Sequence, residues 1–90
     1  MIKKINLNKY LSAISEPNRL KILELLKNNE LCACEIHPIL KLPQNLNSHH
    51  LKILKDLDLL KSKKDGNKII YSRNEEKIKL YQSKLNNIII

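Results

Sequence analysis

Cys32-Ala33-Cys34-Glu35-Ile36-His37 is the stretch of this 90-residue chain with the most pointed chemistry. Thiolates are soft donors suited to As(III), Cd(II), Pb(II), Zn(II) or Cu(I), and an imidazole adds a donor that suits zinc and copper best. Helical spacing puts Cys34 and His37 on one face, and Cys32 must fold back from the helix start to join them. A helix N-terminus also lowers thiol pKa, which favours metal binding and oxidation alike. The opening Met1-Ile2-Lys3-Lys4-Ile5-Asn6 has no apolar secretory core, so a reducing cytoplasm is the expected setting. There a close cysteine pair is a ligand or redox pair rather than a structural staple. A plainer role is also open: Cys32 as a helix N-cap, with Glu35 completing a capping box three residues on.

A second group of side chains could read a polyanion. Asn45, Ser48, His49 and Lys52 recur at i, i+3, i+4 and i+7, which gives one polar helix face, and Gln44 stands at its start. Gln and Asn can pair bidentately with adenine, Ser can donate or accept, His can reach a base edge or phosphate, and Lys suits a phosphate. The bland alternative is an ordinary solvated face. Just downstream, Lys61, Lys63, Lys64 and Lys68 flank Asp65-Gly66-Asn67. Asp-Gly between β-capable arms signals a hairpin, because Gly66 supplies a positive φ without steric cost. Those lysines would reach phosphates beside a groove, or else serve as solubilising edge charges. His50 falls on the Leu46/Ile53 side and reads as a packed, hydrogen-bonded histidine.

Composition narrows the setting. Seventeen Lys and Arg against nine Asp and Glu give a formal charge of +8, which calls for an anionic partner. Residues 1–40 hold six basic and four acidic groups, and residues 41–90 hold eleven and five, so the anion-facing surface lies mostly in the second half. No apolar run approaches the length of a membrane span. Ninety residues allow one small core and favour stabilisation by a partner, usually in a dimer.

The elements that must position these groups follow from periodicity. Leu7, Tyr10, Leu11 and Ile14 predict a first helix over roughly residues 4–14. Ser15-Glu16-Pro17 reads as a restart with Ser15 as cap, and a short second helix runs to Asn28-Asn29. A third helix spans Cys32 to Leu40, with a kink expected at Pro38. Residues 44–58 form a fourth, with Leu46, Ile53 and Leu57 on the core face beside Leu51 and Leu54. Asp58 ends that helix, and Asp tolerates the left-handed conformation better than most residues. After the hairpin, Asn74 caps a last helix whose Ile78, Tyr81, Leu85 and Ile88 make a seam for packing on another helix.

Helix, helix, helix, polar-faced helix, basic hairpin, helix is the order of a winged helix-turn-helix. Leu11-Ser12-Ala13-Ile14-Ser15-Glu16-Pro17-Asn18-Arg19-Leu20-Lys21-Ile22-Leu23 resembles the opening of the ArsR/SmtB family of bacterial and archaeal repressors. So do Glu30-Leu31-Cys32-Ala33-Cys34-Glu35-Ile36, Ser48-His49-His50-Leu51-Lys52-Ile53-Leu54 and Asp65-Gly66-Asn67-Lys68-Ile69-Ile70-Tyr71-Ser72, in family order over roughly residues 10–72. The resemblance implies a mainly α (α+β) winged helix-turn-helix of five helices with a β-hairpin wing, a single domain over residues 1–90. It implies a homodimer joined through the first and last helices, reading a pseudo-palindromic operator in double-stranded DNA.

The same resemblance implies a repressor whose DNA contacts come from Gln44, Asn45, Ser48, His49, Lys52, Lys63, Lys64 and Lys68. No cofactor is required. Family members that sense arsenite or cadmium carry Cys-x-Cys at this place, so Cys32, Cys34 and His37 become the implied site, with As(III), Cd(II), Pb(II) or Zn(II) as inducer. The last helix holds no His, so the family's second zinc site is not implied. Two alternatives stay open: a regulator of the same fold without a metal effector, and a thiol redox sensor. An enzyme is disfavoured because no pocket-forming Gly turn or orienting carboxylate accompanies the Cys/His pair. A membrane-surface module is disfavoured by the polar hairpin and helix face.

Overall fold

Local hydrogen-bond chemistry sets each helix boundary in the computed structural model, which describes residues 6–89. The first helix, α1 (Leu7–Ile14), starts where the Asn6 side chain accepts from the Lys9 amide at 3.1 Å. The earlier residues of the expected first helix lie outside the described range. Ser15 does not open the second helix, as expected from sequence, but closes the first, its hydroxyl donating to the Ser12 carbonyl at 2.7 Å. Pro17 occupies the first turn of α2 (Pro17–Leu25), and Glu16 becomes the cap, with Oε2 accepting from the Arg19 amide at 3.0 Å. Pro17 decides this register: its fixed φ and missing N–H suit the first helical position.

A two-residue strand, β1 (Leu31–Cys32), precedes α3 (Ala33–Leu40), and α3 continues through Pro38 to end at Lys41, which takes φ 56. Next comes α4 (Gln44–Asp56), shorter than the expected 44–58. It stops because Asp58 adopts φ 61, letting the Leu59 amide bond back to the Leu54 carbonyl at 3.0 Å. Asp58 thus does what its residue type allows. The hairpin follows as β2 (Leu60–Asp65) and β3 (Lys68–Arg73), with Asp65 paired to Lys68 and a two-residue loop, Gly66-Asn67. Gly66 takes φ +62. Strand β1 adds to the hairpin by pairing Leu31 with Tyr71 and Cys32 with Ile70, so the antiparallel sheet has the order β1-β3-β2. Two residues are too few to show a period, and the third strand was not legible in sequence.

Finally α5 (Glu75–Ile89) is capped by Asn74, whose Oδ1 accepts from the Lys77 amide at 3.2 Å, with Glu75 and Glu76 at its positive end. Arg73 ties this corner to α2 by donating to the Leu23 carbonyl at 3.2 Å. The Tyr10 and Tyr81 rings stack at 4.5 Å with their planes 5° apart, joining α1 to α5 within the protomer. Tyr81 also donates its hydroxyl to the Leu57 carbonyl at 3.2 Å. The α5 seam therefore divides: Ile78 and Tyr81 are buried, whereas Ile88 is 67% exposed.

The core gathers Ile22, Leu26, Ile36, Leu51, Leu54, Leu59 and Leu60 between α2, α3, α4 and the sheet. Its chief departure from the sequence reading is the rotation of α4. The buried stripe is Asn47, His50, Leu51 and Leu54, and Leu46 is left 37% exposed. That is a turn of one residue position, about 100°. Two polar residues occupy the stripe, which is why apolar periodicity pointed to the neighbouring one. Leu54→Ala is expected to cost about 2–5 kcal/mol in urea unfolding, and Leu46→Ala less than about 1 kcal/mol. Equal losses would contradict this rotation.

Candidate nucleic-acid interface and thiol pair

Once Asn47, His50, Leu51 and Leu54 face inward, the residues two positions away face outward. Asn45, Ser48, His49 and Lys52 are all exposed on the opposite side of α4, and Gln44 is exposed at its start. Pro43 precedes the helix and supplies no side-chain cap, so the first-turn amides add their positive end to this surface. Lys52 pairs with Asp56 at 2.8 Å and Lys63 with Glu30 at 3.1 Å. Both pairs are solvent-exposed and worth little, so either lysine can exchange its carboxylate for a phosphate at small cost. Lys61, Lys64 and Lys68 stand exposed on the hairpin. Between α4 and the hairpin runs an open cleft of about 580 Å³, lined in part by Cys34, Ser48, Lys52, Lys55 and Lys68.

The cysteines close on each other. Cys32 and Cys34 form a disulfide with their Cα atoms 5.1 Å apart. Cys32 is buried and Cys34 exposed at the edge of the cleft. Cys32 is also the N-cap of α3: its Sγ accepts from the Cys34 amide at 3.0 Å, and Glu35 Oε1 accepts from the Cys32 amide at 3.0 Å. The capping box read from sequence is present. His37 turns elsewhere, its Nε2 facing the Gln44 amide nitrogen at 3.4 Å. Among the described residues, no three His, Cys, Asp or Glu side chains are gathered closely enough to hold a metal ion. The structure brings Cys32 and Cys34 together and leaves His37 on Gln44. Reduced to thiolates, two cysteines with Cα atoms 5.1 Å apart supply soft donors to one place on the surface.

Polar side chains link the two helices beneath this surface. Asn47 is 1% exposed and donates from Nδ2 to the Ala33 carbonyl at 3.3 Å, between the two cysteines. Its Oδ1 has no partner among the described residues. Asn47 thus fastens α4 to the first turn of α3. Around it Cys34, His37, Gln44 and Ser48 line a pocket of about 200 Å³.

His50 is 4% exposed and makes the packed, hydrogen-bonded contact expected of it. Its Nδ1 lies 3.2 Å from Arg19 Nη1, and its Nε2 lies 3.7 Å from Glu16 Oε2. Burial is the main influence on its titration and lowers its pKa from the ordinary value of 6.5. Glu16 opposes that shift, while Arg19 and His49 add to it. Sequence reasoning placed His50 inside but missed Arg19 and Glu16 as its partners, which sit 31 and 34 positions away.

Known proteins share both the sequence and the fold. The family model described as bacterial regulatory protein, arsR family, matches residues 16–62, which span α2 through the start of β2. An arsenical resistance operon repressor of Staphylococcus xylosus is 43% identical over 70 residues, covering 78% of this chain and 67% of that one. The chain belongs to the arsR family of bacterial regulatory proteins.

A Staphylococcus aureus homologue of a cadmium resistance transcriptional regulatory protein is 36% identical over 72 residues, covering 79% of this chain and 60% of that protein. The match thus spans about two thirds of the length of these relatives. An ArsR-like transcriptional regulator from Rhodococcus sp. RHA1 superposes with a TM-score of 0.82 at 24% identity, covering 91% of this chain and 77% of that one. That likeness bears on the fold, and it matches: five helices and a three-stranded antiparallel sheet in winged helix-turn-helix order. This arsR-family chain is a transcription regulator and not an enzyme. No described helix is long and apolar enough to cross a membrane.

Proposed function

We propose that this chain is a cytoplasmic, sequence-specific DNA-binding repressor acting as a homodimer on a pseudo-palindromic operator. The observation that carries this reading is the outward stripe of Asn45, Ser48, His49 and Lys52, backed by a buried stripe and flanked by a basic hairpin. Gln44, Asn45 and Ser48 meet base edges in the major groove. His49 and Lys52 reach a base edge or phosphates, and Lys63, Lys64 and Lys68 hold phosphates beside the groove. The exposed apolar residues Leu80, Ile88 and Ile89 of α5, with Leu11 of α1, support pairing of two protomers through the first and last helices.

A gel shift with an operator duplex at several salt concentrations tests this. Lys63→Glu/Lys64→Glu is expected to weaken retardation and to flatten the log–log salt dependence by about 0.9 for each phosphate that is no longer neutralised. Unchanged retardation and slope would overturn the role of the wing.

The effector reading rests on the cysteine pair. In the reduced protein Cys32 and Cys34 together take As(III), Cd(II), Pb(II) or Zn(II), and His37 leaves Gln44 to become the third donor. The pull on α3 reaches α4 through the Ala33–Asn47 bond and the freed Gln44, which lowers DNA affinity. The arsenical and cadmium resistance regulators among the relatives support an ion of this class. A thiol redox response is the second reading, favoured by the Cys32–Cys34 disulfide itself.

Titrating the reduced protein–DNA complex separates the two. Soft ions are expected to weaken binding by about 5- to 150-fold, the usual range of allosteric coupling. Release by a thiol oxidant, with no response to any of the ions, would contradict metal sensing and favour the redox reading.

A further inference from the structure

His50 lies on the side of α4 turned away from the proposed DNA face, yet it is a buried imidazole bonded to another helix. Arg19 supplies that bond from Nη1 at 3.2 Å, and its Nε donates to the Ala13 carbonyl, in the last turn of α1, at 2.7 Å. Glu16 accepts from the Arg19 amide at 3.0 Å and holds Oε2 3.7 Å from His50 Nε2. One guanidinium therefore joins the end of α1, the first turn of α2 and the buried face of α4. We propose that Glu16, Arg19 and His50 are positioning residues for DNA reading: a half-buried relay that sets the rotation of α4 against the α1–α2 corner and holds only while His50 Nδ1 can accept. This inference rests on the DNA-binding reading above and adds a condition to it.

The chemistry of the donors imposes that condition. A guanidinium has donors only, so Arg19 can bond Nδ1 only when that nitrogen carries no proton. The ring proton then sits on Nε2, toward the Glu16 carboxylate. A second proton would set N–H against N–H and bring a second cation against Arg19 at a ring that is itself buried. The groups acting on the ring are Glu16 and Arg19 from α2 and His49 from α4 itself; Glu16 favours the cation, Arg19 and His49 oppose it. Burial opposes it most, so the ring stays neutral to lower pH than an ordinary histidine. A group whose folded pKa is depressed stabilises the latched state above its ordinary pKa, and that contribution is lost as pH falls through the folded value.

The test uses the full chain and a duplex selected by the protein from a random pool at neutral pH. Every profile is compared with that of His50→Asn, which keeps His37 and His49, so titration of those rings cancels. Affinity is measured from about pH 7.5 down to about pH 5, spanning the ordinary histidine pKa and below. His50→Asn keeps an acceptor near the Nδ1 position and cannot gain a proton; His50→Leu keeps bulk without an acceptor.

The His50 protein is expected to lose affinity relative to His50→Asn as pH falls, by up to about tenfold per pH unit for each ring that must shed a proton. At neutral pH His50→Asn should bind much better than His50→Leu. Parallel pH profiles, or equal weakening by Asn and Leu, would overturn the relay while leaving DNA binding intact. Absence of binding by the unsubstituted chain at every pH would overturn the DNA-binding reading and the relay with it. If His50→Asn does not fold, imidazole nitrogen shifts in the unsubstituted chain decide: a proton on Nε2 supports the relay, and one on Nδ1 overturns it.

Discussion

A helix offers its own core only one stripe, and α4 commits that stripe to Asn47, His50, Leu51 and Leu54. Everything proposed for the outer surface depends on this choice, because Asn45, Ser48, His49 and Lys52 lie two positions away and so on the opposite side. Two aliphatic and two polar side chains set the rotation together. Leu51 and Leu54 supply burial, which is strong but tolerant of angle. Asn47 and His50 supply direction, because a buried polar group left without a partner costs about 1–3 kcal/mol and its partners stand at definite points. Asn47 needs the Ala33 carbonyl, and His50 needs Arg19. A slip of the helix by one residue would break both bonds.

The same two side chains lead in different directions through the molecule. Asn47 leads to α3, to the residue between the cysteines, and His37 and Gln44 run beside it at the surface. His50 leads to Arg19 and thence to the end of α1, which stacks on α5 through Tyr10 and Tyr81. A change at the cysteine pair and a change at the α1/α5 corner therefore converge on one helix. For the proposed dimer this matters: the two copies of α4 must stand about one helical pitch apart to read successive grooves. Neither route requires a distant relay of small shifts, since each passes through a single hydrogen-bonding side chain.

Much of this architecture was legible in the chain, and the reasons differ by element. Gly66 between lysine-rich arms, Asn74 ahead of Glu75 and Glu76, and Asp58 at a helix end each depend on the backbone chemistry of one residue, and each appears as expected. Glu35 likewise completes the capping box on Cys32. Ser15 misled because Pro17 imposes a stricter rule than a generic capping preference. The core face of α4 misled because hydropathy favours Leu46 over Asn47 as the buried position, and only a partner distant in sequence turns Asn47 inward; His50 was expected inside, but without Arg19 as its partner. Strand β1 left no periodic trace, being two residues long. Of the candidate site, the exposed polar stripe follows from spacing alone. The pairing of Cys32 with Cys34, and the engagement of His37 by Gln44, required coordinates, since spacing along a helix cannot say which neighbour a side chain prefers.

The central claim is that α4 and the hairpin turn one continuous polar and basic surface toward DNA. Nuclear magnetic resonance of the isotope-labelled protein, with a cognate duplex added stepwise, tests it most directly. The account predicts that the side-chain amides of Gln44 and Asn45, and the backbone amides of Ser48, His49, Lys63, Lys64 and Lys68, shift first and most. The Asn47 side-chain amide, buried on the other side of the same helix, should keep its bond to Ala33 and move far less. Shifts as large at Asn47 as at Asn45, or confined to α1 and α5, would contradict the account.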